Sequence, residues 1–368
     1  MKENAALFPF DKNILPVARH FRSLQNIYEL QKVIAWSGCG AIGKDAAFIC
    51  NQPAIGITIT DQLTENNSEW DTLIVDCTSI DTARKSSDDM ENLFRACLEK
   101  NKKILLIADD AHYCRYYGAL HEKYPDRICC LDNSLSVQRN HFRNIQYVPL
   151  STPVLLIGGL VKTGDTLEIL LSLKEQFDAH DRKISCITGN NLGMLFGCHS
   201  YTHIFENGDY SEERKILELN QFTRDIIEAE RPELVVIEAP DAVMKFSNLV
   251  PNGFGIQTYM VTQALNPDFC ICSMPNDLVN PSFINHLIQG MLKHSGLNVY
   301  AVYASNVIVD FSDALQDQAL SYLYIDMNEV SNTLKNTPQQ DSMYICNTVL
   351  QGGEDLFSHI SKLIERGV

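Results

Sequence analysis

The chain has 368 residues, 45% of them hydrophobic and 21% charged, and a formal net charge of −16. Its acidity excludes a general nucleic-acid binder, which needs a basic surface to release counterions, and no apolar run approaches the ~20 residues of a membrane helix. The length exceeds what one core accommodates, so two domains are expected.

In chain order, apolar runs predict strands at Ala5–Phe8, Tyr28–Ala35, Ile55–Thr60, Thr72–Cys77, Lys103–Ala108 and Arg127–Leu131. Helices are expected between them at Ile14–Arg22, Asp88–Asn101 and Ala111–Tyr124. The second has a marked start, two serines followed by Asp88, Asp89 and Glu91, an acidic first turn that suits the helix dipole. Alternation of this kind implies a mostly parallel sheet with helices on both faces, a Rossmann-like α/β domain over residues 1–150.

The polar stretch from Gln138 to Pro153 reads as a linker, and a second alternation follows it over residues 151–368. Its strands are expected at Val154–Ile157, Lys183–Ile187, Leu234–Glu238, Phe269–Ser273, Val299–Tyr303, Ser321–Ile325 and Met343–Asn347. Its helices are expected at Leu167–Phe177, Ser211–Ala229, Gly255–Ala264, Pro281–Lys293 and Asp355–Arg366. The fold class is therefore two three-layer α/β domains with mostly parallel sheets.

The most informative stretch opens the second domain. Val154–Ile157 runs into Gly158 and Gly159, then Lys162, Gly164, Asp165, Thr166 and Glu168, ahead of an amphipathic segment. Strand, Gly-rich turn and helix are the context of the GxxxxGK[ST] loop, whose backbone N–H groups cradle phosphates at a helix N-terminus. Here Asp165 stands in place of the phosphate-binding lysine, while Thr166 keeps the hydroxyl that reaches magnesium. A carboxylate in that place repels phosphate unless a metal bridges them. The domain is thus expected to be P-loop-NTPase-like with a degenerate phosphate loop. The apolar run Glu233–Glu238 ends near two acids, Glu238 and Asp241, where such folds carry a magnesium-orienting carboxylate, and Glu168 is placed to join them.

Weaker constellations accompany it. Gly38, Gly40 and Gly43 form a GxGxxG pattern after a strand, with Lys44 and Asp45 directly behind and Asp61 at the end of the next strand. A plain Gly-rich turn fits the same residues, because only a short helix has room before Pro53. Cys198, His199 and His203 form the metal candidate, with His199 and His203 on one face if that segment is helical, yet no further ligand stands out, so His199 is expected to line a ligand pocket and no metal site is expected. Asn252-Gly-Phe-Gly-Ile256 reads as a flexible turn near the sheet edge where α/β folds gather ligands. The twelve cysteines are scattered, without a CxxC pair, and Met1–Lys12 lacks a signal-peptide pattern, so a cytoplasmic protein with reduced thiols is expected. No Ser-His-Asp or Cys-His nucleophile arrangement stands out, and the residues do not by themselves specify an enzyme.

With these segments placed, the chain resembles the peptide maturation system proteins of clostridial natural-product (bacteriocin-type) gene clusters. The resemblance rests on Phe8-Pro-Phe-Asp11, Gly43-Lys-Asp-Ala46, the Gly158–Phe177 loop and helix, Gly197-Cys-His-Ser200, Asn252–Ile256 and Gln263-Ala-Leu-Asn-Pro-Asp268. It implies an accessory role in maturing a ribosomally made peptide. The partners it implies are a precursor peptide, a radical SAM enzyme or a carrier-like protein; a homodimer is left open.

Three functions remain open on these residues. One is an accessory protein that binds a peptide, or a nucleotide with magnesium, without fast hydrolysis. Another is a magnesium-dependent nucleotide hydrolase or ligase using Thr166, Glu238 and Asp241. The third is a dinucleotide-dependent oxidoreductase built on Gly38–Gly43.

Overall fold

The computed structural model describes the chain except residues 1, 25–26, 62–68, 78–86, 108–117, 132–144, 313–319, 338–342 and 367–368. The chain divides into two compact units. The first comprises Met1–Ile49, Pro53–Val137 and Asn190–His203; the second comprises Cys50–Gln52, Gln138–Gly189 and Ile204–Val368.

The first unit is built on β1 (Glu3–Phe8), β2 (Tyr28–Ile34), β3 (Ile59–Thr60), β4 (Thr72–Asp76), β5 (Lys103–Ile107) and β6 (Ile128–Leu131). They form one sheet in the order β3-β2-β1-β4-β5-β6, with every neighbouring pair parallel. This is the doubly wound order, whose direction reverses between β1 and β4. Ala5 to Phe8 are fully buried, as a central parallel strand covered on both faces requires. Three helices are described here, α1 (Leu15–His20), α2 (Ser87–Glu99) and α3 (Gly118–Lys123). Phe94 of α2 packs with Phe8, Trp70, Leu73 and Val75. Half of the helix expected at Ala111–Tyr124 lies outside the described residues, and the strand expected at Ile55–Thr60 keeps only its last two residues.

In the second unit the loop-bearing strand β7 (Val154–Gly159) lies near the middle of a parallel sheet. Its other strands there are β8 (Ile184–Thr188), β10 (Leu234–Ala242), β11 (Phe269–Met274), β12 (Val299–Ala304) and β15 (Tyr344–Cys346), whereas β9 (His199–Ser200) belongs to residues of the first unit. The order within the unit is β15-β12-β11-β7-β10-β8. β7 pairs in parallel with β10 on one side and β11 on the other, so the strand order reverses at β7. Ligands of open α/β sheets gather outside the strand C-termini at such a point. The helices are α4 (Asp165–Ala179), α5 (Thr202–Phe205), α6 (Glu212–Glu230), α7 (Ile256–Leu265), α8 (Pro281–Ser295), α9 (Met327–Asn336), α10 (Thr348–Gln351) and α11 (Glu354–Glu365). The expected fold class stands: two mostly parallel α/β sheets with helices packed on them.

Three local differences have physical causes. α4 was expected to be amphipathic, but α10 and α11 pack against it and bury it on most sides, from Leu167 through Leu173 to Phe177. The strand expected at Ser321–Ile325 is not in the main sheet. As β14 (Tyr322–Tyr324) it pairs antiparallel with β13 (Val307–Val309) in a separate ribbon. The buried Asn306 interrupts the apolar run from β12 to β13, donating its side-chain amide to the carbonyl of Ile325. Finally, the expected linker is described only from residue 145, where Val148 exchanges backbone hydrogen bonds with the buried Asn220 amide of α6.

Two glycines near φ +70° make a stability test. Gly296, the C-cap of α8, would carry a Cβ in open space, whereas a Cβ on Gly255 would sit 2.7 Å from the Val243 carbonyl oxygen and 2.8 Å from Met244 backbone. Gly296→Ala should therefore cost only the left-handed backbone term, about 1–2 kcal/mol. Gly255→Ala should cost clearly more, ~3 kcal/mol or above, because backbone must move. Urea denaturation of both variants checks this; equal losses would refute the close approach.

Candidate phosphate-binding loop

The loop after β7 is fixed from both sides. A Cβ on Gly158 would lie 2.4 Å from Val243 Cγ1, and one on Gly159 would lie 2.7 Å from the Val161 carbonyl oxygen, so both glycines are dictated by close approach. The Gly159 carbonyl accepts from Val243 N at 3.0 Å, and Leu160 N donates to the Ser273 carbonyl at 2.8 Å. Asn252 Nδ2 donates to the Leu160 carbonyl at 3.0 Å. Val161 is buried against Val307 and Val309, with the rings of Phe246, Tyr322 and Tyr324 around them. Lys162 is left exposed between its buried or half-buried neighbours.

α4 starts at Asp165 with Gly164 as its N-cap and no side chain capping it. Among the described residues, the backbone N–H groups of Lys162, Thr163, Gly164, Thr166 and Leu167 find no acceptor. Free N–H groups of a turn running into a helix N-terminus form an anion-binding concavity, reinforced by the helix dipole.

Asp165 is not the open carboxylate expected in the lysine position. It is buried, and its Oδ2 accepts from Thr163 Oγ1 at 2.6 Å and from Ser273 Oγ at 2.9 Å. The fully buried Ser305 hydroxyl, which has no other partner, also faces this carboxyl. Burial is the largest influence and pushes the carboxyl above the usual range; the three hydroxyls pull it back, and nearby Glu168 adds to the rise. A carboxyl held in this way tends toward its neutral form and repels a phosphate less than an open carboxylate would.

Glu238 and Thr166 do come together. Thr166 Oγ1 donates to Glu238 Oε1 at 2.7 Å, and Thr188 Oγ1 donates to the other oxygen. Burial again raises the carboxyl, while the two hydroxyls and the Lys162 ammonium favour its charged form. A threonine hydroxyl beside a carboxylate at the loop is an oxygen donor set of the kind magnesium takes together with substrate phosphates. Glu168 is buried one helical turn on, with Ser172 Oγ at 3.4 Å from its Oε1.

Asp241 leaves this group, correcting the expectation that it orients magnesium. Its Oδ1 accepts from Thr258 N at 2.9 Å and from the Thr258 hydroxyl, and its Oδ2 from Gln257 N at 3.3 Å. It caps α7 from β10, satisfying helix N–H groups that would otherwise lack acceptors.

The residues assigned to the first unit are placed apart from any helix start of useful length. Gly38, Gly40 and Gly43 lie in turns between β2 and β3, and only a three-residue helical turn, Phe48–Cys50, follows. The doubly wound order places the dinucleotide turn after β1, so this GxGxxG is a Gly-rich turn without a pyrophosphate helix. Asp45 organises that turn, accepting from Ala47 N at 2.9 Å, Ile55 N at 3.1 Å and Gly56 N at 2.8 Å. Lys44 lies 5.1 Å over the Phe48 ring. His199 lies on β9 and His203 in α5, so the two do not share a helix. Among the described residues no group of three or more His, Cys, Asp or Glu is gathered for a metal.

Sequence reasoning missed Thr163, Thr188, Ser273 and Ser305. The available signal was position: Thr188 and Ser273 lie at the C-terminal ends of β8 and β11, the edge where α/β sites form.

No family model matches the chain, and no curated protein matches it. Among solved structures, it is similar over 98% of its length to all of a DUF1611 family protein from Anabaena variabilis, at 11% identity and a TM-score of 0.61. This likeness shows the fold alone. A GTPase from Pyrococcus abyssi aligns with 58% of this chain and 96% of its own at 10% identity, with a TM-score of 0.31. The signal recognition particle 54 kDa protein from Aeropyrum pernix aligns with 61% of this chain and 52% of its own at 12% identity, also at 0.31.

The Asp165 environment has a pH signature. Its folded-state value is raised above that of the unfolded chain, so the stability it contributes is full at acid pH and is lost as pH rises through the folded value. Asp165→Asn, which does not titrate, should gain on wild type as pH rises above the ordinary carboxyl range. Denaturant melts of both proteins over a pH series measure it; a gap that is flat, or that widens against the variant with pH, would refute it.

Proposed function

We propose that the second unit binds a phosphate-bearing ligand, a nucleotide with magnesium, at the loop from Gly159 to Thr166 and holds it without fast hydrolysis. The observation that carries this reading is the set of partnerless N–H groups of Lys162, Thr163, Gly164, Thr166 and Leu167 at the start of α4, with the Lys162 ammonium exposed beside them. Lys162 supplies a positive charge at the loop, three residues before the position where a phosphate-binding lysine usually stands. Thr166 would hold magnesium, with Glu238 beside it accepting from the water shell; the ion would neutralise phosphate charge.

Slow turnover follows from what the loop lacks. Catalysis of phosphoryl transfer is mostly positioning and charge stabilisation. Here the usual lysine position holds a carboxyl tied to hydroxyls, and Asp241 is spent on capping α7. The biological setting we propose is maturation of a ribosomally made peptide, as an accessory to a precursor peptide, a radical SAM enzyme or a carrier-like protein. The supports for that setting are the motif resemblances along the chain, with the loop and the Asn252–Ile256 turn both among them.

Calorimetric titration with ATP and GTP in the presence of magnesium tests the ligand. Binding should be weak, with a Kd of roughly tens of micromolar or more, and phosphate release negligible. Lys162→Ala should weaken binding about tenfold, ~1.4 kcal/mol, the scale of one exposed charge-assisted contact. Absence of binding by nucleotides and by pyrophosphate, or affinity unchanged in Lys162→Ala, would refute the reading.

A further inference from the structure

From Phe246 to Pro267 the chain carries no Asp, Glu, Lys, Arg or His, in a protein of which 21% is charged. The stretch is not core. Leu249, Phe254, Ile256 and Tyr259 are 51%, 62%, 55% and 47% exposed. Singly exposed apolar residues are ordinary, but an uncharged cluster of large ones marks an interaction surface. The surface continues through Phe246, whose ring meets that of the half-exposed Phe311 at 6.3 Å.

The backbone presents this surface rigidly. Asn252, Gly253, Phe254 and Gly255 are four consecutive left-handed residues, with φ of 47°, 70°, 58° and 69°. Left-handed backbone is ordinarily visited one residue at a time, and at Phe254 it is unfavourable by about 1–2 kcal/mol. The turn is held at each end, by Asn252 on the Leu160 carbonyl and by Asp241 on the first N–H groups of α7. Gly255 is pinned under the Val243 and Met244 backbone. An exposed phenyl ring on a fixed backbone loses little entropy on binding.

We propose that this surface, centred on Phe254, Ile256 and Tyr259, joins two copies of the chain. A basic partner would be drawn to the acidic side chains that give the protein its charge of −16, and the stretch from Phe246 to Pro267 carries none. Two copies of like net charge repel overall, and they meet at least cost across a stretch without charged side chains. In an isologous contact each residue meets its own patch on the partner, so a charged residue would face its like, whereas an apolar patch is complementary to itself. Phe and Tyr are also among the residues enriched at such interfaces. This inference is independent of the ligand assigned to the loop.

Sedimentation velocity over a concentration series tests it, with Ile256→Glu and Tyr259→Lys beside wild type and Leu292→Lys as control. Leu292 is 44% exposed on α8, outside this stretch. Wild type and Leu292→Lys should sediment as dimers. Ile256→Glu and Tyr259→Lys should shift to monomer, with a dimer Kd raised roughly tenfold or more. All these side chains are exposed, so unchanged circular dichroism and Tm are expected and separate lost association from lost folding. Monomeric wild type, a dimer that survives both substitutions, or equal loss in Leu292→Lys would overturn the proposal.

Discussion

The close passage of β10 and β11 against the end of β7 is the constraint on which the rest of the second unit depends. With side chains on Gly158 or Gly159, neither Val243 nor the loop's own turn at Val161 would fit. With hydrogen in their place, Val243 N reaches the Gly159 carbonyl and Leu160 N reaches the Ser273 carbonyl. The loop is thereby fixed by backbone bonds on two sides before any side chain acts. That leaves the N–H groups of Lys162, Thr163, Gly164, Thr166 and Leu167 without internal partners, and partnerless N–H groups at a helix start can hold an anion.

The same clamp explains how an acid occupies the first turn of α4 at tolerable cost. Fixing Ser273 beside β7 brings its hydroxyl to Asp165, and Thr163 turns back from the loop to the same oxygen. Hydroxyl donors stabilise a buried carboxyl, yet burial still dominates and raises its proton affinity. The hydroxyl pocket and the acid are thus one design, and the loop's positive charge sits at Lys162, where it also favours the charged form of Glu238.

Much of this architecture was legible in the sequence because buried parallel strands write themselves as unbroken apolar runs. Ala5–Phe8, Thr72–Cys77, Val154–Ile157 and Phe269–Ser273 fall on observed strands with shifts of a residue or two at their ends. The pairing of Thr166 with Glu238 was legible too, because a loop strand and an acid-bearing strand at their C-terminal ends share one edge. What failed had no local signal. Asp241 caps α7 across the chain, and its role depends on a left-handed turn whose conformation no pattern of apolar residues encodes. β14 read as a strand of the main sheet because its residues are apolar and aromatic, but it pairs with β13 in a separate ribbon that begins after the buried Asn306. The glycine pattern at Gly38–Gly43 satisfied a motif, yet the motif's meaning lies in the helix that should follow, and only the short turn Phe48–Cys50 is there.

The left-handed turn from Asn252 to Gly255 ties together the two features of the second unit that point outward. Through Asn252 it is bonded to the Leu160 carbonyl of the loop after β7, and through Gly255 it lies against the backbone at Val243, the residue whose N–H holds Gly159. Any shift of the loop main chain at Leu160 is therefore felt by the backbone that carries Phe254. Asp241 closes the arrangement, since using both carboxyl oxygens to cap α7 fixes Ile256 and Tyr259 on the same rigid base. Strain at a non-glycine position persists only where its surroundings over-determine it. Here they do so at both ends, and the result is an uncharged aromatic surface whose position is set by the loop.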